Sequence, residues 1–167
     1  MSRRESRESA FKLLYQMEFQ KGGYNIQKEQ FIRELNVKDN ELEYFDRIVE
    51  GVRSNKEILD SVYSKLLKNW HLDRIPKVDQ TILRISTYEI LNVPDVPLNV
   101  SISEAVYLAK KYSTDEARAY INGILGKIPA YKLELDAQQE ALALSEAGET
   151  SEAIHIDPAS NDAEITE

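Results

Sequence analysis

The chain has 167 residues, about one domain's worth, with 21 Lys and Arg against 29 Asp and Glu and a formal net charge of −8. It has no cysteine, which excludes disulfides, zinc–thiolate sites and thiol nucleophiles. No run of 18 apolar residues occurs and the first residues hold no apolar signal core, so no membrane span and no secretory signal are expected, and the reading is cytoplasmic.

Apolar residues recur at helical spacing, and no segment sustains a strand alternation. The first predicted helix carries Ala10, Phe11, Leu13, Leu14 and Met17 and stops at Gly22-Gly23. A short second one carries Ile26, Phe31, Ile32 and Leu35. A third begins near Glu41, with Leu42, Phe45, Ile48, Val49 and Val52 on one stripe. Ser54 and Glu57 form a capping-box pattern that predicts a fourth start, ahead of Ile58, Leu59, Val62 and Leu66. Pro76 suits the first turn of a fifth helix with Val78, Ile82, Leu83, Ile85 and Leu91. Pro94 and Pro97 make a rigid connection. Ser101/Glu104 and Ser113/Glu116 are further capping patterns, opening helices that end near Tyr112 and Ile128, and Pro129 is the predicted last stop. Seven helices joined by short loops predict a compact all-α bundle over 1–135.

The segment 136–167 differs in kind. It holds nine acids and no Lys or Arg, so 1–135 keeps 21 basic and 20 acidic residues, a net charge of +1. Gln138 to Leu144 can add a helical turn or two, but beyond Gly148 the composition cannot bury enough apolar surface to offset ordering entropy. This acidic tail is expected to be disordered.

No enzyme constellation is present. His71 follows Trp70 without a metal-spaced partner, and His155 lies in the tail. Among six glycines there is no G-x-G-x-x-G, Walker loop or G-x-S-x-G. Neither catalysis nor a cofactor or metal is expected.

The basic residues are more informative. Arg3, Arg4 and Arg7 project within about a third of the first helix's circumference. Three cations at a helix N-terminus oppose its dipole, so their presence points to an anionic ligand, against the plainer reading of a solvated helix start. Lys110, Lys111 and Arg118 add positive charge near Tyr120, although lysines at a helix C-terminus are also what the dipole favours.

Several blocks follow one another in an order that resembles the NusB family of bacterial antitermination factors. They are Arg3-Arg4-x-x-Arg7-x-x-Ala10-Phe11-x-Leu13-Leu14-Tyr15-Gln16, then W-x-x-x-R-I-x-x-V-D-x-x-I-L-R-I-S-x-Y-E-I-L from Trp70 to Leu91. Asp95-Val96-Pro97, Ser103-Glu104-Ala105-Val106, Ala109-Lys110-Lys111-Tyr112 and Tyr120-Ile121-Asn122-Gly123-Ile124-Leu125 complete the set. The resemblance spans roughly 3–128 and implies an all-α fold of seven helices in two subdomains. It also implies binding of single-stranded boxA RNA in ribosomal operon leaders. The partners it implies are the small-subunit ribosomal protein that doubles as NusE and an antitermination complex with RNA polymerase. In the family the arginine-rich first helix contacts RNA, which points here to Arg3, Arg4 and Arg7, with Tyr15 in the same signature. The aromatic before I-N-G, here Tyr120, faces RNA as well. The helix from Val78 to Leu91 contributes to the NusE surface, which makes Asp79 and Arg84 the implied partner residues. Two alternatives are an N-terminal module of an RNA methyltransferase, for which no catalytic domain or Gly-rich loop is present, and a protein-interaction module without RNA binding.

Overall fold

The structure, a computed structural model, describes residues 1–67 and 72–153; Trp70, His71 and His155 lie outside the described residues. Those residues contain six α-helices, two 3-10 turns and no strand. The helices are α1 (Arg3–Phe19), α2 (Tyr24–Leu35), α3 (Glu43–Leu66), α4 (Lys77–Asn92), α5 (Leu98–Tyr112) and α6 (Asp115–Ala153). The chain divides into two units, Met1–Ala130 and Tyr131–Glu167.

The all-α expectation holds, but helix starts obey different residues from those predicted. Helix α1 opens on a capping box of Ser2 and Glu5, in which the Ser2 hydroxyl accepts the Glu5 N–H and the Glu5 carboxylate accepts the Ser2 N–H. Ser54 and Glu57 lie inside one continuous helix, α3, so the predicted third and fourth helices are one. The apolar stripe of Phe45, Ile48, Val49 and Val52 resumes on the same face at Leu59 and Val62, seven residues past Val52, and overrides the local signal. Ser101 is likewise buried inside α5, which starts three residues earlier behind Pro97. Thr114 rather than Ser113 caps α6, accepting the Ala117 N–H at 3.1 Å.

Helix α4 packs against α1, α3 and α5 and is buried nearly all round. Ile82, Leu83 and Ile85 supply its apolar contacts, but Asp79, Gln80, Thr81, Arg84, Ser86, Thr87 and Glu89 are buried with them. Buried polar groups survive by finding partners. Gln80 Nε2 donates to the Ile75 carbonyl at 2.8 Å, and Thr81 Oγ1 to Lys77 at 2.7 Å. Arg84 donates to Asp60 at 2.7 Å and to Glu18 at 2.6 Å, tying α4 to α3 and α1. Where α3 passes α4, Gly51 lies under the Tyr88 ring, and a Cβ there would sit 2.1 Å from the ring carbon Cζ. Only hydrogen fits.

Pro129 does not end the last helix, contrary to the expectation from sequence. Helix α6 passes through it to Ala153. A proline removes one backbone hydrogen bond, and the Ala, Leu, Lys, Glu and Gln residues that follow it are strong helix formers that continue the spiral. In the first unit α6 buries Ala117, Ile121, Ile124, Leu125 and Ile128. In the second, Leu133, Leu142 and Leu144 are exposed. The helix thus occupies 136–153 of the acidic segment; 154–167 lie outside the described residues.

Candidate nucleic-acid interface

Helical spacing puts Arg4, Glu8, Phe11, Tyr15 and Phe19 on one stripe of α1, and Glu104, Tyr107 and Lys111 on one stripe of α5. Side-chain contacts join the stripes into a seam. The Arg4 guanidinium forks onto Glu104, with Nε 3.1 Å from Oε2 and Nη2 2.9 Å from Oε1, and lies 4.4 Å from the centre of the Tyr107 ring. One turn on, Glu8 accepts from Lys111 Nζ and, at 2.5 Å, from the Tyr112 hydroxyl. The Phe11 ring lies 4.9 Å from the tilted Tyr112 ring and stacks on Tyr15 at 5.9 Å, and Tyr15 meets Phe19 edge-on at 5.0 Å. Phe19 is exposed and Tyr15 half-buried. From Arg4 to Phe19 the track is about 22 Å long, at about 1.5 Å per residue.

Arg3 points to the other side of the α1 start. Its Nη2 donates to Asp95 at 2.8 Å, and its guanidinium lies 4.6 Å from the Tyr44 ring. That hydrogen bond raises the Arg3 pKa and holds the Asp95 carboxyl below the usual carboxylate range. The hydrogen bond from Arg4 to Glu104 acts the same way on Arg4. Glu8 is pushed up by burial, but the hydrogen bonds from Lys111 and Tyr112 bring it below its ordinary value.

Arg7 differs from its neighbours. It is buried, with Nε donating to Glu89 at 2.7 Å, beneath Tyr44. Glu89, 1% exposed, also accepts from the Tyr44 hydroxyl at 2.5 Å and from Ser101 Oγ at 2.7 Å. The expected arc of three cations therefore presents two to solvent and turns the third inward to anchor α1 on α4.

Asp79 and Arg84, the implied partner residues, are likewise turned inward. Neither offers its charge to a partner surface: Asp79 is 1% exposed and accepts from Ser113 Oγ and from the Tyr120 hydroxyl, while Arg84 is consumed by Asp60 and Glu18. Burial pushes the Asp79 carboxyl up, opposed by the Ser113 hydrogen bond. Tyr120 is half-buried, its hydroxyl turned inward. Arg118 pairs with Asp115 and borders an open groove of about 680 Å³ between α5 and α6, with Asn99, Ile102, Val106 and Asn122 on its walls. Lys110 is exposed at the α5 C-terminus.

The structure thus gathers Arg3, Arg4, Tyr15 and Lys111 along α1 and its neighbours, and places Arg118 and Tyr120 on α6. Reading the sequence missed Tyr44, Tyr107, Glu89, Glu104 and Asp95 as parts of this region. Glu104, Tyr107 and Lys111 do carry a legible signal, spaced i, i+3 and i+7. The others depend on hydrogen bonds between residues 45 to 92 positions apart in sequence.

The model of the NusB family matches residues 4–129. The transcription antitermination protein NusB of Acetivibrio thermocellus is 45% identical over 133 residues, covering 80% of this chain and 92% of the relative. Among solved structures, NusB of T. maritima is 34% identical with a TM-score of 0.69, covering 77% of this chain and 90% of its own. A chain from the crystal structure of the antitermination factors NusB and NusE in complex with dsRNA is 26% identical with a TM-score of 0.67, covering 77% and 97%.

Proposed function

The chain belongs to the NusB family of transcription antitermination proteins, and from that premise we propose that it binds single-stranded boxA RNA of ribosomal RNA operons together with a NusE-type small-subunit ribosomal protein, within an RNA polymerase antitermination complex. The observation that carries the proposal is the α1/α5 seam, where Arg4 and Lys111 alternate with Tyr107, Tyr112, Tyr15 and an exposed Phe19. Single-stranded RNA is held by cations on its phosphates and by bases stacked on aromatic faces, and this seam interleaves both. The relative solved with NusE and dsRNA supports the class of ligand and partner. Arg3, Arg4 and Lys111 contact phosphate, with Lys110 and Arg118 extending the positive edge. Tyr15 and Tyr120 offer ring faces. Arg7 serves from beneath by holding α1 in place.

Changing Arg3 and Arg4 together to Ala weakens binding across RNA sequences and lowers the log–log salt slope by up to about 1.4, at roughly 0.7 per phosphate contact on single strands. Titration of boxA RNA at several salt concentrations, with and without the NusE-type protein, reads both quantities. A variant that keeps both the wild-type affinity and the wild-type slope would remove the first helix from the RNA path.

A further inference from the structure

The two exposed arginines of α1 are not bare cations. Arg4 is clamped by both oxygens of Glu104, and Arg3 is paired with Asp95. The Arg4 side chain is 53% exposed but Glu104 only 13%, so the acid is the fixed member of the pair and the arginine the reachable one. Each acid also has a second arginine in reserve. Arg7 Nη1 lies 4.0 Å from Glu104, and Arg47 Nη1 lies 4.0 Å from Asp95. A carboxylate that lost its surface arginine would therefore not be left without a cation, which is the usual obstacle to opening a partly buried ion pair.

We propose that Glu104 and Asp95 are built-in counter-anions that occupy the phosphate positions of Arg4 and Arg3 in the free protein, and that RNA engages this edge by exchanging carboxylate for phosphate. The inference rests on the RNA-binding reading and adds the residues that set its strength. A guanidinium presents the same planar fork to a carboxylate and to a phosphate, so the exchange conserves hydrogen bonds while the acids fall back on Arg7 and Arg47. The displaced carboxylates stay close to the bound phosphates and weaken them by repulsion. Affinity is thereby held down, and the electrostatic contribution of Arg3 and Arg4 is partly hidden in the wild type.

The test uses Glu104→Gln, Asp95→Asn and the double variant of the full chain, titrated with single-stranded boxA RNA and with oligo(U) as a control for sequence. Thermal melting monitors the fold. Each substitution is expected to tighten binding to both RNAs about two- to five-fold at low salt, the scale of one exposed ion pair, with the gain fading as salt screens it. The double variant is expected to steepen the salt slope by up to about 1.4. Unchanged or weaker binding by a well-folded Glu104→Gln protein would overturn the exchange and make Glu104 a residue that aligns Arg4 for RNA. Should Glu104→Gln unfold the chain, Asp95→Asn decides alone, because Asp95 is an exposed acid on the α4–α5 connection. Binding to neither RNA by any chain, wild type included, would sink the RNA reading and the exchange with it. Binding without gain sinks the exchange only.

Discussion

At Asp79 the carboxylate is enclosed by α4 and the start of α6, and its charge is tolerated because Ser113 and Tyr120 both donate to it. Burial still pushes its carboxyl above the ordinary aspartate range. Well below the ordinary aspartate pKa of about 3.9 it is protonated in folded and unfolded chains alike. As pH rises, the unfolded chain releases its proton first, so this residue's contribution to stability falls until the folded carboxyl ionises too. Asp79→Asn abolishes that titration. The variant's stability relative to wild type is expected to climb as pH rises from about 4 toward neutrality, read by urea unfolding at each pH. A flat or falling difference would mean that the two hydroxyls outweigh desolvation. Residues of this kind mark where sequence reading stops. Arg3, Arg4 and Arg7 share an arc that any helical wheel reveals, yet the burial of Arg7, which lies between the other two on that arc, depends on Glu89, 82 positions away.

The helix is the scale at which the sequence was most legible. Apolar spacing located α1, α2 and α4, a capping pattern at Ser101 located α5 but placed its start three residues late, and Pro76 and Pro97 sit directly before helix starts. Boundaries failed where a short polar pattern competed with a long apolar stripe, as at Ser54 in α3. The burial of α4 was not legible, because a run holding Asp, Gln, Arg, Thr, Ser and Glu carries the composition of a solvated surface. Its partners Glu18, Asp60, Ser113, Tyr120 and Arg7 come from three other helices, α1, α3 and α6, and from the α5–α6 connection. A close approach between α3 and α4 is at Gly51 under Tyr88. Gly51→Ala would gain helix propensity of roughly 1 kcal/mol but force the ring or the α3 backbone aside. Overpacking of this kind costs about 1–3 kcal/mol, so the variant is expected to be destabilised on balance. Thermal or denaturant unfolding checks this, and a stabilised variant would imply that Tyr88 swings away freely.

For the molecule as a whole, charge distribution matters more than total charge. Residues 1–135 carry +1 and the full chain −8. A polyanion approaching from solution meets the field of the entire chain at low salt, when the screening length is long. Deleting 136–167 is expected to speed association with RNA severalfold at low ionic strength, with the advantage lost near physiological salt. Melting should hardly change, since the buried apolar residues described run only as far as Ile128. Stopped-flow association at two salt concentrations decides it, and equal rates at low salt would count against the field argument. This division into a neutral body and an acidic end was plain in the composition, whereas the extension of α6 past Pro129 was not. One proline outweighs its neighbours in a sequence pattern more readily than in a helix.

The ion pairs between α1 and α4 come in two opposite polarities. Near the α1 start, Arg7 meets Glu89, late in α4; near the α1 end, Glu18 meets Arg84, midway along α4, and Lys77 at its first residue. The antiparallel docking is therefore written twice, in mirror-image charge. Were α1 to dock the other way round, Arg7 would come against Arg84 and Glu18 against Glu89, two like-charged encounters in a region where all four side chains are largely shielded from water. Such encounters cost several kcal/mol each, whereas the native pairs contribute little net stability once their desolvation is counted. What the pairs supply is direction, a key cut so that the first helix enters the bundle one way round and carries Arg3 and Arg4 to the same edge each time the chain folds.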